Sequence, residues 1–214
     1  MVCTRPDLCH AVSVVSMYMG NPCSEYWEAV KWIMRYFNGT ANLGLLYSTK
    51  SSKPEAYGYV DADYAGDLDT KRSQTSFVFK LNNYTISWKA NLQSIVALSI
   101  FESEYIACTE AVKEALWLKG LTRELGVDQR VVTIFSDSQS ALHLSKNQVF
   151  HERIKHIDVR LHFIRDVIAE GKVKLEKPAP EEYIIMIIIF LKADLRELKE
   201  SRESERTEKN KRES

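Results

Sequence analysis

The pair Asn82-Asn83 is the tightest constraint on how this chain can fold. It lies between Phe77, Phe79 and Leu81 on one side and Thr85, Ile86 and Trp88 on the other. Apolar side chains at alternate positions make a half-buried strand, and asparagine tolerates the positive φ that a two-residue hairpin turn needs. The spacing therefore predicts two antiparallel strands joined by a tight turn. Upstream, Tyr57, Tyr59 and Asp61 alternate with Gly58 and Val60, a third strand that ends in an acid. Downstream the period becomes helical from about Glu102 to Leu125. There Ala107, Ala111, Ala115 and Leu118 form a face small enough to sit close on a sheet, and Gly126 stops the helix. Val131 to Phe135 is a short, continuous apolar run, the pattern of a strand covered on both faces. Asp137-Ser138-Gln139-Ser140 starts another helix, with Ala141, Leu142 and Leu144 inward. A further helix runs roughly from His156 to Glu170, and Val173 to Glu176 is a last strand. The order is three antiparallel strands, helix, strand, helices, strand: an α/β chain with a mixed five-stranded sheet flanked by helices.

Two helices precede the sheet. One covers about Asp7 to Met19 and ends at Gly20-Asn21-Pro22. The other, capped by Ser24, carries Trp27, Val30, Met34 and Phe37 on one stripe and stops at Gly39. This pair exposes a large aromatic face and is expected to continue a longer chain ahead of it. After Glu182 the composition changes: Tyr183 to Leu191 is almost wholly apolar, and Lys192 to Ser214 mixes both charges. Spaced opposite charges there suit either a solvent-exposed helix or no fixed structure. The division is thus 1–50, 55–182 and 183–214.

Lys plus Arg equals Asp plus Glu, 29 of each, so bulk charge announces no partner. Cys3, Cys9, Cys23 and Cys108 contain no Cys-x-x-Cys pair and read as free thiols in a reducing compartment. Ile184 to Leu191 is far shorter than the roughly 20 residues that span a bilayer. Arg5-Pro6-Asp7 interrupts any early apolar run, so no signal peptide is expected. The expectation is an intracellular protein, cytoplasmic or nuclear, neither secreted nor in a membrane.

Three acids fall at element ends. Asp61 closes a strand, Glu104 stands in the first turn of the long helix, and Asp137 follows the strand Val131 to Phe135. Hydrolysis of a phosphodiester without a covalent intermediate needs a nucleophilic water and a neutralised leaving alkoxide. Two divalent ions about 4 Å apart supply both, and hard carboxylate oxygens suit Mg²⁺. Asp61, on a central strand, is placed to bridge two ions, with Glu104 and Asp137 beside it. Each acid alone has an ordinary reading, as turn chemistry or as favourable charge in a first helical turn. The order strand-Asp, helix-Glu, strand-Asp is more specific than any member.

Several longer words carry a resemblance. They are Gly58-Tyr59-Val60-Asp61-Ala62-Asp63-Tyr64-Ala65-Gly66-Asp67, Ile86-Ser87-Trp88-Lys89, Val96-Ala97-Leu98-Ser99 and Glu102-Ser103-Glu104-Tyr105-Ile106-Ala107. With them stand Ser136-Asp137-Ser138-Gln139-Ser140-Ala141 and the run His151 to Arg160 followed by His162-Phe163. Together they resemble the ribonuclease H domain of copia-type LTR retrotransposon polyproteins, from Thr4 to about Lys177. Thr4-Arg5-Pro6-Asp7 and Trp27-Glu28-Ala29-Val30-Lys31-Trp32 resemble the thumb and connection of the preceding reverse transcriptase.

The resemblance implies a ribonuclease H-like fold behind a helical reverse transcriptase remnant, and cleavage of the RNA strand of an RNA–DNA hybrid. Asp61, Glu104 and Asp137 match three of the family's four catalytic metal ligands, for two Mg²⁺ ions or Mn²⁺ in their place. The polymerase aspartates would lie upstream, so no polymerase activity is expected. An enzyme of this kind must sense the 2′-hydroxyl of RNA. Gln139, beside the third acid, is a candidate for that contact, as are polar groups of the loop Lys89-Ala90-Asn91-Leu92-Gln93. Lys89 and Asn91 are read as substrate contacts, with an ordinary polar loop as the competing reading. Asp63 and Asp67 read as loop residues, and Asp158 as structural or substrate-touching. His151, His156 and His162 are poorly spaced for one metal. The aromatic face of the leading helices suits self-association or a reverse transcriptase fragment.

The pattern breaks near the end. In the family a helix after the last strand carries the fourth carboxylate, whereas here Met186 falls at or next to that position. A thioether is a poor Mg²⁺ ligand. Asp194 would be a substitute displaced by about two helical turns. The competing reading is therefore a catalytically inactive transposon-derived remnant that binds nucleic acid or does nothing.

Overall fold

The computed structural model describes residues 3–48, 54–67, 69–139, 142 and 158–179. The expectations for Ala141, Leu144, His151, His156, the side chain of Asp158, Met186, Asp194 and the segment 183–214 lie outside these residues. In chain order come helices α1 (Pro6–Met17) and α2 (Ser24–Gly39), then strands β1 (Ala56–Asp63), β2 (Gln74–Leu81) and β3 (Tyr84–Leu92). They are followed by helix α3 (Ile100–Glu124), strand β4 (Val132–Phe135), helix α4 (Asp158–Ala169) and strand β5 (Val173–Glu176). The sheet runs β3-β2-β1-β4-β5. Its first three strands pair antiparallel, while β4 is parallel to both β1 and β5. This mixed sheet with helices against it is the ribonuclease H-like fold that the sequence implied.

The hairpin forms where the asparagines predict it. Asn82 and Asn83 take φ of 53° and 68°, and Leu81 pairs Tyr84 across them. Two successive left-handed residues are the type I′ geometry whose twist matches the flanking strands. Beyond the turn the register shifts: Lys80 faces Thr85 but Phe79 faces Ser87, leaving Ile86 as an extra residue. That bulge reconciles the adjacent Thr85 and Ile86 with an alternating strand.

One sheet face carries the main core. Val60, Phe77 and Phe79 meet Tyr105, Cys108, Val112 and Leu118 of α3, and Ala107, Ala111 and Ala115 are fully buried between them. The small-residue face lets the helix axis approach the sheet, as its spacing required. Gly58 has a related task, because a Cβ there would fall inside van der Waals contact with the Phe79 ring. Gly126, at φ +79°, ends α3 in a Schellman motif: its amide bonds to the Arg123 carbonyl and the Val127 amide to the Thr122 carbonyl. The opposite face holds Tyr59 and Val78 with Tyr57, Trp88 and Phe135, Tyr59 and Phe135 stacking at 5.2 Å. There α1 packs against β3, with the Cys9 thiol at the Ala90 backbone.

Several sequence expectations shift. Helix α1 stops at Met17 rather than Met19. Ser24 is the first residue of α2 and not its cap; the cap is Cys23, extended at φ −93° and ψ 172°, with no side-chain cap bond. On α2 the buried side chains are Ala29 and Ile33, while Trp27, Met34 and Phe37 point to solvent. The leading helices are joined through Arg5, whose guanidinium meets Asp7 at 2.6 Å, the Thr40 hydroxyl at 2.7 Å and the Thr40 carbonyl at 3.1 Å. Strand β4 is fully covered at Val132 and Ile134 but only half-buried at Thr133 and Phe135.

Candidate metal centre

Parallel pairing of β1 and β4 positions the first two acids. The register ends with Tyr59 opposite Phe135, and Asp61 and Asp137 each lie two residues beyond that pair. They therefore leave neighbouring strands at the same height, and adjacent strands are only about 4.8 Å apart.

The third acid comes from α3, which begins at Ile100, two residues earlier than the sequence period suggested. Ser99 is the cap: its Oγ accepts from the Glu102 amide at 3.1 Å, and Glu102 Oε2 accepts from the Leu98 amide at 2.7 Å. This is a capping box shifted by one residue, and it satisfies donors that the first helical turn would otherwise leave exposed. Glu102 is committed to the helix start. Glu104, two residues later and therefore in the second turn rather than the first, is left to face the strands.

One carboxylate oxygen from each of Asp61, Glu104 and Asp137 lies within 4.8 Å of the others. Glu104 is 7% exposed, Asp61 half-buried and Asp137 exposed, so the trio forms a pocket open on one side. Among the described residues it is the one group of three or more such ligands close enough to share an ion. Cys108, a helical turn beyond Glu104, forms part of its floor. Burial, then the negative field of Glu104, Asp137 and Asp61, pushes that thiol up to about 12 against a hydrogen bond with Ser136. It is neutral at physiological pH. Three carboxylates in partial burial repel one another, and a hard divalent cation is the partner that relieves the repulsion. The donor set fits a hard divalent cation.

The other named residues stand elsewhere. Lys89 and Asn91 are on the edge strand β3, two strands from β1 and so roughly 10 Å to the side. Lys89 Nζ lies 3.6 Å from Glu110 and over the Phe77 ring. Asn91 is exposed, as is Gln139, two residues past Asp137. Gln93, read with the same polar loop, is instead buried at 5% exposure and bonded inward. Asp63 is the last residue of β1. Asp67 belongs to a turn in which the Thr70 hydroxyl and the Asp69 amide donate to its carboxylate. Burial pushes the Asp67 carboxyl up, yet these bonds and the charge of Arg72 hold it below the usual range. His162 is exposed on α4. The sequence reading missed the separate tasks of Glu102 and Gln93. The word Ser99-x-x-Glu102 was the available signal for the first; for the second there was none.

No family model matches the chain. It is 50% identical over 182 residues to the retrovirus-related Pol polyprotein from transposon TNT 1-94 of Nicotiana tabacum, which covers 85% of this chain and 14% of the polyprotein. It thus spans about a seventh of that relative's length. The secreted RxLR effector protein 161 of Plasmopara viticola is 45% identical over 123 residues, 58% of this chain and 86% of that protein. Among solved structures, the foamy viral protease-reverse transcriptase in complex with dsDNA superposes with a TM-score of 0.50 at 10% identity. That match covers 75% of this chain and 30% of the viral one. Likeness at so low an identity speaks for the fold alone. No helix among the described residues is long and apolar enough to cross a membrane.

Proposed function

Because this chain belongs to the ribonuclease H region of the retrovirus-related Pol polyproteins of copia-type transposons, we propose that it cleaves the RNA strand of RNA–DNA hybrids, using divalent ions held by Asp61, Glu104 and Asp137. The observation that carries this reading is the convergence of those three carboxylates, from β1, α3 and the end of β4, within 4.8 Å. A bound pair of Mg²⁺ ions would supply Lewis acidity toward the scissile phosphate and a water acidic enough to ionise near neutral pH.

The chain's own residues do the rest. Asp61, on β1 beside the end of β4 that carries Asp137, would contribute oxygens to the ions together with Glu104 from α3. Glu104, nearly buried, is held by a packed helix and fixes the inner wall. Asp137, exposed, marks the side from which solvent and a phosphate would enter. Gln139, just past it, would test for a 2′-hydroxyl. Lys89 and Asn91, on the far edge strand, would meet the nucleic-acid backbone rather than the reacting phosphate. The Lys89–Glu110 contact is a half-exposed surface pair of little net value, so the ammonium can exchange it for a phosphate.

The test is cleavage of a labelled RNA–DNA hybrid in Mg²⁺ and in Mn²⁺ by the full chain, Asp137→Ala and Asp194→Ala. Cleavage abolished by Asp137→Ala supports the reading. Hybrid bound but left intact by the wild-type chain in both metals favours the inactive remnant. Activity lost in Asp194→Ala identifies a displaced fourth ligand, and activity kept there means that three acids suffice.

A further inference from the structure

Gln93 sits outside the acid trio, but a chain of hydrogen bonds runs through it from the segment carrying Asp61 to the segment carrying Glu104. The Ala65 amide, just past the end of β1, donates to Ser73 Oγ at 3.1 Å. The Ser73 carbonyl accepts from the Gln93 amide at 2.8 Å. Gln93 Nε2 then donates twice, to Thr75 Oγ1 and to the Ser103 carbonyl, each at 3.0 Å. Ser103 precedes Glu104 in α3, and Thr75 adjoins Ser76, the β2 partner of Asp61. Ser73 is fully buried and Gln93 is 5% exposed, so water does not compete for these bonds.

The arrangement is costly, since Gln93 Oε1 is buried and accepts no hydrogen bond from the protein. Burying an amide with one end unsatisfied carries a desolvation penalty. An apolar side chain of similar length would avoid that cost but could not tie the second turn of α3 to the strands. We propose that Gln93 is a positioning residue, setting the distance between the Asp61 and Glu104 carboxylates and thereby the affinity of the metal centre. The proposal rests on the reading of the trio as that centre.

Gln129 supplies a matched control. It too is a buried amide bridging backbone groups, accepting from the Ala56 amide at 2.9 Å and donating to the Pro54 carbonyl at 2.7 Å. It acts at the start of β1, at the opposite end of that strand from Asp61.

The experiment is calorimetric titration of Mn²⁺ into the metal-free full chain, with Tm recorded for each variant. Gln93→Met is expected to weaken Mn²⁺ binding about tenfold, the scale of lost outer support at metal sites. Gln129→Met is expected to lower Tm comparably while leaving Mn²⁺ affinity unchanged. Wild-type affinity in folded Gln93→Met overturns the proposal, and so does equal weakening in both variants. If Gln93→Met does not fold, Ser73→Ala cuts the same chain of bonds at the Ala65 amide, and unchanged affinity there overturns it. Wild-type chain and Asp61→Asn separate the two layers. If the wild type binds no Mn²⁺, or Asp61→Asn binds it equally, the metal-centre reading itself fails.

Discussion

Asp61 and Asp137 stand level with each other, each two residues past Tyr59 and Phe135, the last register pair of the parallel strands β1 and β4. Parallel pairing holds two like charges side by side with Glu104 behind them, an arrangement that is unfavourable without a cation. Asp137→Asn, which removes one of three clustered like charges, is expected to raise the metal-free Tm. It should also abolish the Tm increase that Mn²⁺ gives the wild-type chain. Thermal scans in chelator and in Mn²⁺ check both signs. A fall in metal-free Tm contradicts the repulsion argument.

The cap of α3 orients Glu104, so weakening it should be felt twice. Ser99→Ala removes the acceptor of the Glu102 amide and is expected to cost about 1 kcal/mol of stability. Urea unfolding followed by far-UV circular dichroism measures that cost. Mn²⁺ affinity should fall in the same variant, because fraying of the first turn removes the support of the second, which bears the buried ligand.

Gly58 is required by packing and not by its backbone angles. Gly58→Ala drives a methyl into the Phe79 ring, and overpacking of a core of this kind costs about 1–3 kcal/mol. Gly58→Ala combined with Phe79→Leu should recover part of that loss. A double variant no more stable than the single one would show that the ring is not the obstacle.

The leading helices carry an acid-sensitive clamp. The Arg5 guanidinium holds the Asp7 carboxyl below its ordinary value, outweighing the upward push of burial. A lowered carboxyl stabilises the fold above its unfolded value, near pH 4, and that contribution is lost as pH falls through the lower folded value. Wild type should therefore exceed Asp7→Asn in stability at pH 6, and the gap should close below about pH 4. Tryptophan fluorescence includes this region, since Trp27 and Trp32 lie on α2. A gap that stays constant down to pH 2 would contradict the clamp.

Much of this protein was written in short stretches of its sequence. The turn at Asn82-Asn83, the alanine face of α3, the stop at Gly126 and, among the described residues, the order of strands and helices are local matters of φ preference and side-chain period, and these appear as read. So did the identity of the three clustered acids, because strand ends and the start of a packed helix are where a sheet gathers side chains. What no local pattern contains is register. The level placement of Asp61 and Asp137 follows from which residue of β4 faces Tyr59. The division of labour between Glu102 and Glu104 follows from where α3 begins. The inward turn of Gln93, away from the polar loop that its composition suggested, follows from Ser103 and Thr75 being brought beside it. These are distances between segments far apart in the chain, and only packing the helices onto the twisted sheet could set them.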